Sequence, residues 1–270
     1  MDQILNVCVG HQPFPKAYAH YVDYTISPLL LHGVNRLIVV PDSLYGENGS
    51  SLSEYAQLFW LNRNLEKLLR GQTHIRLLQY RRFVSDGSVQ VARPSSVGYA
   101  KVIREDQLQY HAGDFLRYGE SELVNAPFKF AGGVLGQYAT SHELEDILDF
   151  AKFLHKSSIL SKLDVAQFLR YNLLIPASTI GVLSIQNFKR IFEILHRAAA
   201  FLNEKNFTVR KGYQRRNMGF LLERLNSHLL LEGIQKGLIK CKHGEHIVIS
   251  ESDRIIHTVD INSNSLLGSA

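Results

Sequence analysis

Cysteine is scarce in this chain: Cys8 and Cys241 stand alone and far apart, with no His or Cys beside either at zinc-like spacing. That excludes a disulfide framework and a structural zinc site, and it fits a reducing compartment. Long apolar runs are also missing. Stretches such as Leu29-Leu30-Leu31 and Leu229-Leu230-Leu231 fall far short of the roughly 20 residues that a membrane-spanning helix requires. The opening Met1-Asp2-Gln3 has no basic segment of the kind that begins a secretory signal. A cytoplasmic protein is expected. The chain also lacks a zinc finger, an RNP-type aromatic motif, a basic zipper, an internal repeat and any Asp-x-Asp pair.

What is abundant is apolar surface and positive charge. Of 270 residues, 45% are hydrophobic, enough for the core of an enzyme-sized fold. A formal charge of +5 favours an anionic partner: nucleic acid, an acidic lipid surface or a sugar-nucleotide diphosphate. The densest basic group is Arg210-Lys211-Gly212-Tyr213-Gln214-Arg215-Arg216.

The pattern of elements points to an α/β fold. Ile4 to Val9 has the β-propensity of a buried strand and ends at Gly10-His11-Gln12-Pro13, which can continue neither strand nor helix. An amphipathic stretch over residues 16–32 reads as a helix bent at Pro28, and residues 36–40 as a second strand ending at Pro41-Asp42. Strand, helix, strand predicts a parallel unit, whose ligand edge lies beyond the carboxyl ends of its strands. Ser51-Leu52-Ser53-Glu54 reads as a capping box opening a helix with Leu58, Leu61, Leu65, Leu68 and Leu69 on one face. Residues 75–78 then form a third strand, delivering Gln79-Tyr80-Arg81-Arg82-Phe83 to the edge that holds His11 and Asp42.

Residues 85–109 read as a hairpin or loop excursion. Thr140-Ser141-His142-Glu143 resembles another capping box, before a helix with Leu144, Ile147, Leu148, Ala151 and Leu154 facing the core. Residues 173–176 suggest a strand, Phe188 to Leu202 a long amphipathic helix and residues 213–231 a further helix. A hairpin around Lys242-His243-Gly244-Glu245, a strand over residues 254–259 and a Ser/Asn/Gly-rich mobile end complete the reading.

Arg81 and Arg82 follow an apolar strand, where guanidinium groups can pair with a diphosphate and take up the charge that builds as a sugar leaves. Adjacent strand residues point to opposite faces, so one of the two faces the ligand and the other braces the structure. His11 either caps its loop or touches ligand. His142 opens a helix, where an anion or a solvated cap is equally suitable. Glu143, Glu145 and Asp146 suit the helix dipole as well as catalysis. Glu223-Arg224 reads either as a buried ion pair or as part of a site.

Val7-Cys8-Val9-Gly10-His11-Gln12-Pro13 resembles the opening strand and T-H-K-P loop of a bacterial family of capsule and lipopolysaccharide glycosyltransferases, long catalogued as a domain of unknown function and including galactofuranosyltransferase-like members. Asp42 to Asn48 with Glu54 and Trp60 resembles its acidic Gly/Asn loop and following helix. Gln79-Tyr80-Arg81-Arg82-Phe83 resembles its H-Y-R-R-Y/F signature, with Gln79 in place of His. Gln137-Tyr138 with His142 to Asp146, and Tyr213-Gln214-Arg215-Arg216 through Leu225, resemble two further blocks. In order, these cover roughly residues 4–231.

The resemblance implies a GT-A-like nucleotide-binding fold with a mixed, mainly parallel sheet flanked by helices over residues 1–235; the pattern beyond it reads as a C-terminal β extension with a hairpin and mobile tail over 236–270. It implies transfer of a sugar from a nucleotide-diphosphate sugar, UDP-sugar favoured, to a glycan or lipid-linked glycan in cell-surface polysaccharide synthesis. His11, Tyr80, Arg81, Arg82, His142, Gln214, Arg215 and Arg224 would bind the donor. Asp42, Glu145 and Glu223 are the candidates for a catalytic carboxylate. With no Asp-x-Asp pair, either the arginines replace a divalent ion, or acids such as Asp42, Asp86 or Glu145 recruit Mn2+ or Mg2+ singly. Basic residues in 205–216 would supply peripheral contact with the inner membrane. The alternative is a nucleic-acid-binding or DNA-glycosylating protein, which the motif content disfavours.

Overall fold

The computed structural model describes residues 3–12, 15, 21–34, 36–87, 89, 92–94, 98–108 and 121–250. Strands β1 (Ile4–Val9), β2 (Tyr24–Ser27), β3 (Leu37–Val39) and β4 (His74–Gln79) lie side by side in the order β3-β2-β1-β4, all parallel. Residues 24–27, expected as helix, are therefore strand. Thr25 and Ile26 are β-branched, buried and paired on both sides, and that burial decides their conformation. Of the helix expected over residues 16–32, residues 16–20 lie outside the described residues, and 21–23 and 28–32 are not helical.

Beyond β4 the sheet continues through β11 (Gly181–Ser184), β8 (Glu122–Asn125), β12 (Cys241–Ser250), β7 (Ala100–Arg104) and β6 (Arg93–Pro94). β8, β12 and β7 point the same way as β4, whereas β11 and β6 run against them. The sheet is thus mixed and mainly parallel. Over residues 85–109, expected as a hairpin or loop excursion, β6 pairs antiparallel with β7. β5 (Arg82–Ser85) turns back from β4 after Tyr80 and Arg81 and pairs with both β4 and β12. That closes the pairing β4-β11-β8-β12-β5 into a ring of five strands, which nothing in the sequence suggested.

The hairpin expected around Lys242 to Glu245 does not form. Residues 241–250 are one strand threaded between β8, β7 and β5. Gly244 serves close approach rather than a turn, because an added Cβ would meet the Ser85 carbonyl oxygen at 2.4 Å. The strand expected over 254–259 and the tail lie outside the described residues.

Alternation along the strands divides the core. Leu5, Val7 and Val9 of β1 and Ile75 and Leu77 of β4 face a large helical layer, while Cys8 and Leu78 face Phe83, Ile247 and Ile249. The helical layer comprises α1 (Tyr55–Leu68), α3 (Gly133–Ala139), α4 (Leu144–Lys156), α5 (Lys162–Arg170), α6 (Ile185–Ala198) and α7 (Asn217–Gln235), with a short α2 (Glu105–Leu108) elsewhere. α7 is buried nearly all round, as befits a helix covered by α4, α6 and the loop before α1.

Two capping expectations fail. The N-cap of α1 is Glu54 and that of α4 is Glu143, neither with a side-chain cap hydrogen bond. Ser53 instead serves Glu54 and Arg216, and the Thr140 hydroxyl donates to Gln137 O at 2.7 Å. On α4 the core face is Ile147, Phe150, Ala151, Phe153 and Leu154, while Leu144 and Leu148 are exposed. No helix among the described residues is long and apolar enough to cross a membrane.

Candidate active site

Three parallel strands deliver side chains to one edge, as the sequence predicts. β1 leads to His11, β3 to Asp42 in the 3-10 turn Asp42–Tyr45, and β4 to the turn at Tyr80 and Arg81. His11 and Tyr80 meet edge to face with ring centroids 5.2 Å apart. The Arg81 guanidinium lies 5.2 Å from the centre of the Tyr80 ring. His11 is open to solvent on one side, yet its pKa is lowered, first by partial enclosure and then by Arg216 and Arg81, against opposing pulls from Glu54 and Asp42. Five ionisable groups therefore surround one point at the sheet edge.

The loop before α1 and the turn before α7 complete that point. Gln57 on α1 donates to Asp42 Oδ1 at 3.0 Å and to Val40 O at 2.9 Å, fixing the carboxylate at the end of β3. Glu54 accepts from Gln79 Nε2 at 3.0 Å and from Ser53 Oγ, and faces Arg216 Nη2 at 3.5 Å. Arg216 Nε donates to Ser53 Oγ at 3.1 Å, and Arg215 Nε to Ser50 Oγ at 3.0 Å. Ser53 has φ +56, a backbone conformation that non-glycine residues adopt at a cost of about 1–3 kcal/mol and that recurs at functional sites. The neighbouring helix comes close only because residue 219 is glycine: a Cβ there would stand 2.9 Å from Ser53 Cβ.

A second group lies one and two turns along α7. Arg224, only 5% exposed, donates to Gln137 Oε1 at 3.1 and 3.2 Å, to Phe220 O at 3.2 Å and to Glu223 Oε2 at 3.1 Å. Its guanidinium also lies 5.5 Å from the Tyr138 ring centre. This is a brace rather than a free ligand group. His142 stacks on Phe220 at 4.1 Å, with Tyr213 at 6.2 Å and Tyr138 at 4.7 Å. Its Nδ1 lies 3.0 Å from Gln214 Oε1, while Gln214 Nε2 donates to Ser141 O at 2.8 Å. The carbonyl-type Oε1 can only accept, so Nδ1 carries the proton. Burial and then Arg224 push the His142 pKa down to about 4, outweighing Gln214 and Asp146. At neutral pH His142 is an uncharged stacking surface, not a phosphate-neutralising cation.

Arg82 opens β5, and its Nε is buried with no hydrogen-bond partner among the described residues. It acts electrostatically on Tyr99, as do Glu223 and Arg224. Glu223, about one-third exposed, also bears on the buried Tyr55, as does Glu54. Glu223 thus sits where the Arg224 group meets the His11 group. Glu145 is elsewhere: its side chain is 86% exposed and pairs with Arg210 at 3.7 Å, not with any other candidate. The buried carboxylate of that turn is Asp146, held by Arg210 at 3.0 Å and Asn217 at 3.2 Å.

Glu54, Tyr99 and Phe220 are members of this site that the sequence did not single out as ligands, whereas Arg216 was expected there only as part of the Arg215/Arg216 cluster that replaces a metal. Glu54 and Phe220 lay inside quoted motifs. Tyr99 had no local signal, since its neighbours come from four separate segments. Among the described residues, no three His, Cys, Asp or Glu side chains gather at metal-holding distance.

No protein-family model and no curated protein sequence matches the chain. Among solved structures, the apo form of the bifunctional glycosyltransferase WbbM superposes with a TM-score of 0.65 at 13% identity. The alignment covers 91% of this chain, which spans 45% of that protein's chain. At that identity the likeness is one of fold: a mixed α/β architecture similar to that of a glycosyltransferase structure.

Proposed function

We propose that the chain is a glycosyltransferase that takes a sugar from a nucleotide-diphosphate sugar, UDP-sugar favoured, and passes it to a glycan or lipid-linked glycan in cell-surface polysaccharide synthesis. The observation that carries this reading is the gathering of Arg81 and Arg216 around His11 at the carboxyl edge of parallel strands, with Arg215 next to Arg216 on the same turn. That edge is where open α/β sheets bind nucleotides. Among the described residues neither Arg81 nor Arg215 has a carboxylate partner, so both guanidinium groups are available to a diphosphate. The WbbM likeness and the motif resemblance support the same reading, and a GT-A-like nucleotide-binding half over β1–β4 is part of it.

The division of labour follows from the geometry. Arg81 and Arg216 take up charge on the departing diphosphate. The neutral face formed by His142, Phe220 and Tyr213 packs a ring of the donor. Glu223, held by Arg224 yet partly open, accepts the proton of the attacking acceptor hydroxyl as its oxygen bonds to the anomeric carbon. Glu145 is too exposed for that role, and Asp42 is the second candidate. The nearby carboxylates argue for arginine rather than Mn2+ or Mg2+ as the charge carrier. Glu54 has oxygens committed to Gln79, Ser53 and Arg216, and Asp42 gives one oxygen to Gln57.

Calorimetric titration of the purified protein with UDP, GDP, CDP and short duplex DNA, with and without manganese, tests the reading. Heat from one nucleoside diphosphate, and release of it from the matching sugar nucleotide when acceptor glycolipid is added, is the expected result. Binding of DNA alone would favour the nucleic-acid alternative. Peripheral contact with an anionic inner leaflet is a separate expectation, checked by co-sedimentation with phosphatidylglycerol vesicles.

A further inference from the structure

A line of aromatic rings leads away from Glu223. Tyr99, whose electrostatic neighbours include Glu223 and Arg82, stacks on Phe128 with centroids 4.8 Å apart and planes 13° from parallel. Phe128 meets Phe130 at 5.7 Å. Phe128 lies in the small ribbon of β9 (Phe128–Lys129) and β10 (Leu173–Leu174), and Phe130 follows it, its N donating to Asn172 O at 3.1 Å. Phe130 then lines a cavity of about 580 Å³ together with Lys129, Arg170 and Asn172. Arg170 and Asn172 also wall a second cavity of about 470 Å³, bounded by Tyr171, Gln167, His228 and Glu232. Arg170 and Asn172 line both cavities, and Phe130 ties the first of them to the aromatic line; this run of adjoining surface is the groove. Its far end, at His228, is roughly 18 Å along α7 from Arg216, taking a rise of about 1.5 Å per residue.

The lining has a definite chemistry. An aromatic face is offered by Phe130, and planar amide and guanidinium groups by Gln167, Asn172 and Arg170. Among the described residues, those three polar side chains have no hydrogen-bond or ion-pair partner. His228 is only 6% exposed, and its Nδ1 is buried without a partner. A buried polar atom on a cavity wall is costly unless a ligand or water satisfies it. This mixture is too polar for an acyl chain and carries both charge signs, with Lys129 and Arg170 against Glu232. It suits a molecule with apolar ring faces and many vicinal hydroxyl groups.

We propose that this groove binds an oligosaccharide, holding the body of the acceptor chain while its terminal hydroxyl reaches Glu223. The word acceptor rests on the transferase reading above; the oligosaccharide site itself does not. Affinity should rise with chain length, because each added sugar reaches further along the line from Tyr99 to His228.

The test is binding in the absence of any nucleotide. The wild-type protein is screened on a glycan array spanning hexose, N-acetylhexosamine and uronic acid chains, and the best glycan is titrated calorimetrically at lengths of one to six sugars. Arg170→Ala and Phe130→Leu are compared, with UDP binding and thermal midpoint as controls. The expected result is tighter binding with length and about tenfold weaker binding of the longest chain in each variant, about 1.4 kcal/mol, with UDP affinity unchanged. Absence of any bound glycan, or equal binding by wild type and both variants, overturns the groove. Glycan binding without nucleotide binding would sink the transferase reading and leave the groove standing; nucleotide binding without glycan binding would do the reverse.

Discussion

Gln79 donates its side-chain amide to Glu54 at 3.0 Å, and Glu54 in turn faces Arg216 at 3.5 Å. The end of β4 therefore controls how much of one carboxylate is left to neutralise a guanidinium on the turn before α7. Gln79→Leu removes the competing donor, and Glu54 then draws Arg216 into a fuller ion pair. UDP affinity is expected to fall about fivefold to tenfold, on the scale of one hydrogen bond to a charged group. Gln79→His can still donate, and it should stay within about threefold of wild type. Equal affinities for the Leu and His variants, measured by calorimetry, would remove this bond from the account.

Arg81 has no carboxylate partner among the described residues and lies over the Tyr80 ring on a tight turn. Little of the fold depends on its charge. Arg81→Ala is expected to lower sugar transfer about 10²- to 10³-fold, the range for losing one preorganised charge-stabilising group, while stability changes by less than about 0.5 kcal/mol. Product assays and thermal unfolding on the same preparation check it. Parallel losses of activity and stability would return Arg81 to a structural role.

Arg224 should behave in the opposite way. It is buried and donates to Gln137, Phe220 O and Glu223, so Arg224→Ala orphans several acceptors at once. A loss of about 3–5 kcal/mol in denaturant unfolding is expected. Glu223→Gln keeps the shape and a hydrogen-bonding oxygen, and should abolish transfer with a far smaller change in stability. If Glu223→Gln transferred sugar at the wild-type rate, the proton would have to go elsewhere, with Asp42 next in line.

The parallel edge was legible because each of its strands is a short apolar run ending in a breaker: Gly10 after β1, Pro41 after β3, the turn at Tyr80 after β4. The rule that parallel strands present their carboxyl ends on one edge did the rest, placing His11, Asp42 and Arg81 together. What could not be read was contact between distant segments. β2 looked helical because a four-residue strand leaves too short a pattern to set against its amphipathic surroundings. β12 looked like a hairpin because Gly244 is a turn residue in most settings, and only the proximity of the Ser85 carbonyl explains it in a strand. Glu145 was attractive by motif, but helix periodicity puts its neighbour Asp146 inside and leaves Glu145 in solvent.

Ser53 and Gly219 offer a test of how the two halves of the site are joined. Ala at 219 would bring its Cβ to 2.9 Å from Ser53 Cβ and 3.1 Å from Leu52 O, and backbone cannot yield as a long side chain can. Gly219→Ala is expected to destabilise by about 1–3 kcal/mol despite the better helix propensity of Ala. UDP affinity should fall with it, because the displaced turn carries Arg215 and Arg216. A stabilised Gly219→Ala variant with normal UDP affinity would show that the contact is slack.

Acid stability depends on two histidines held neutral by their surroundings. Burial and then Arg224 push His142 down to about 4, and burial and then Arg82 push His246 down to about 3. An unfolded histidine titrates near pH 6.5. Between that value and the folded pKa, the unfolded state binds a proton that the folded state does not, so stability falls as pH falls. The loss begins near pH 6.5, reaches its limit for His142 near pH 4 and continues for His246 toward pH 3. Each proton contributes up to about 1.4 kcal/mol per pH unit. His246 has both ring nitrogens buried without partners and lies against Tyr99 with planes 14° apart, so Phe fits the same slot without a titrating group. The His246→Phe variant should lose less stability than wild type between pH 7 and pH 4 while matching or exceeding it at pH 7. Urea midpoints across that range decide the matter: curves that fall in parallel would mean that His246 is hydrated in solution and does not contribute to the acid limb.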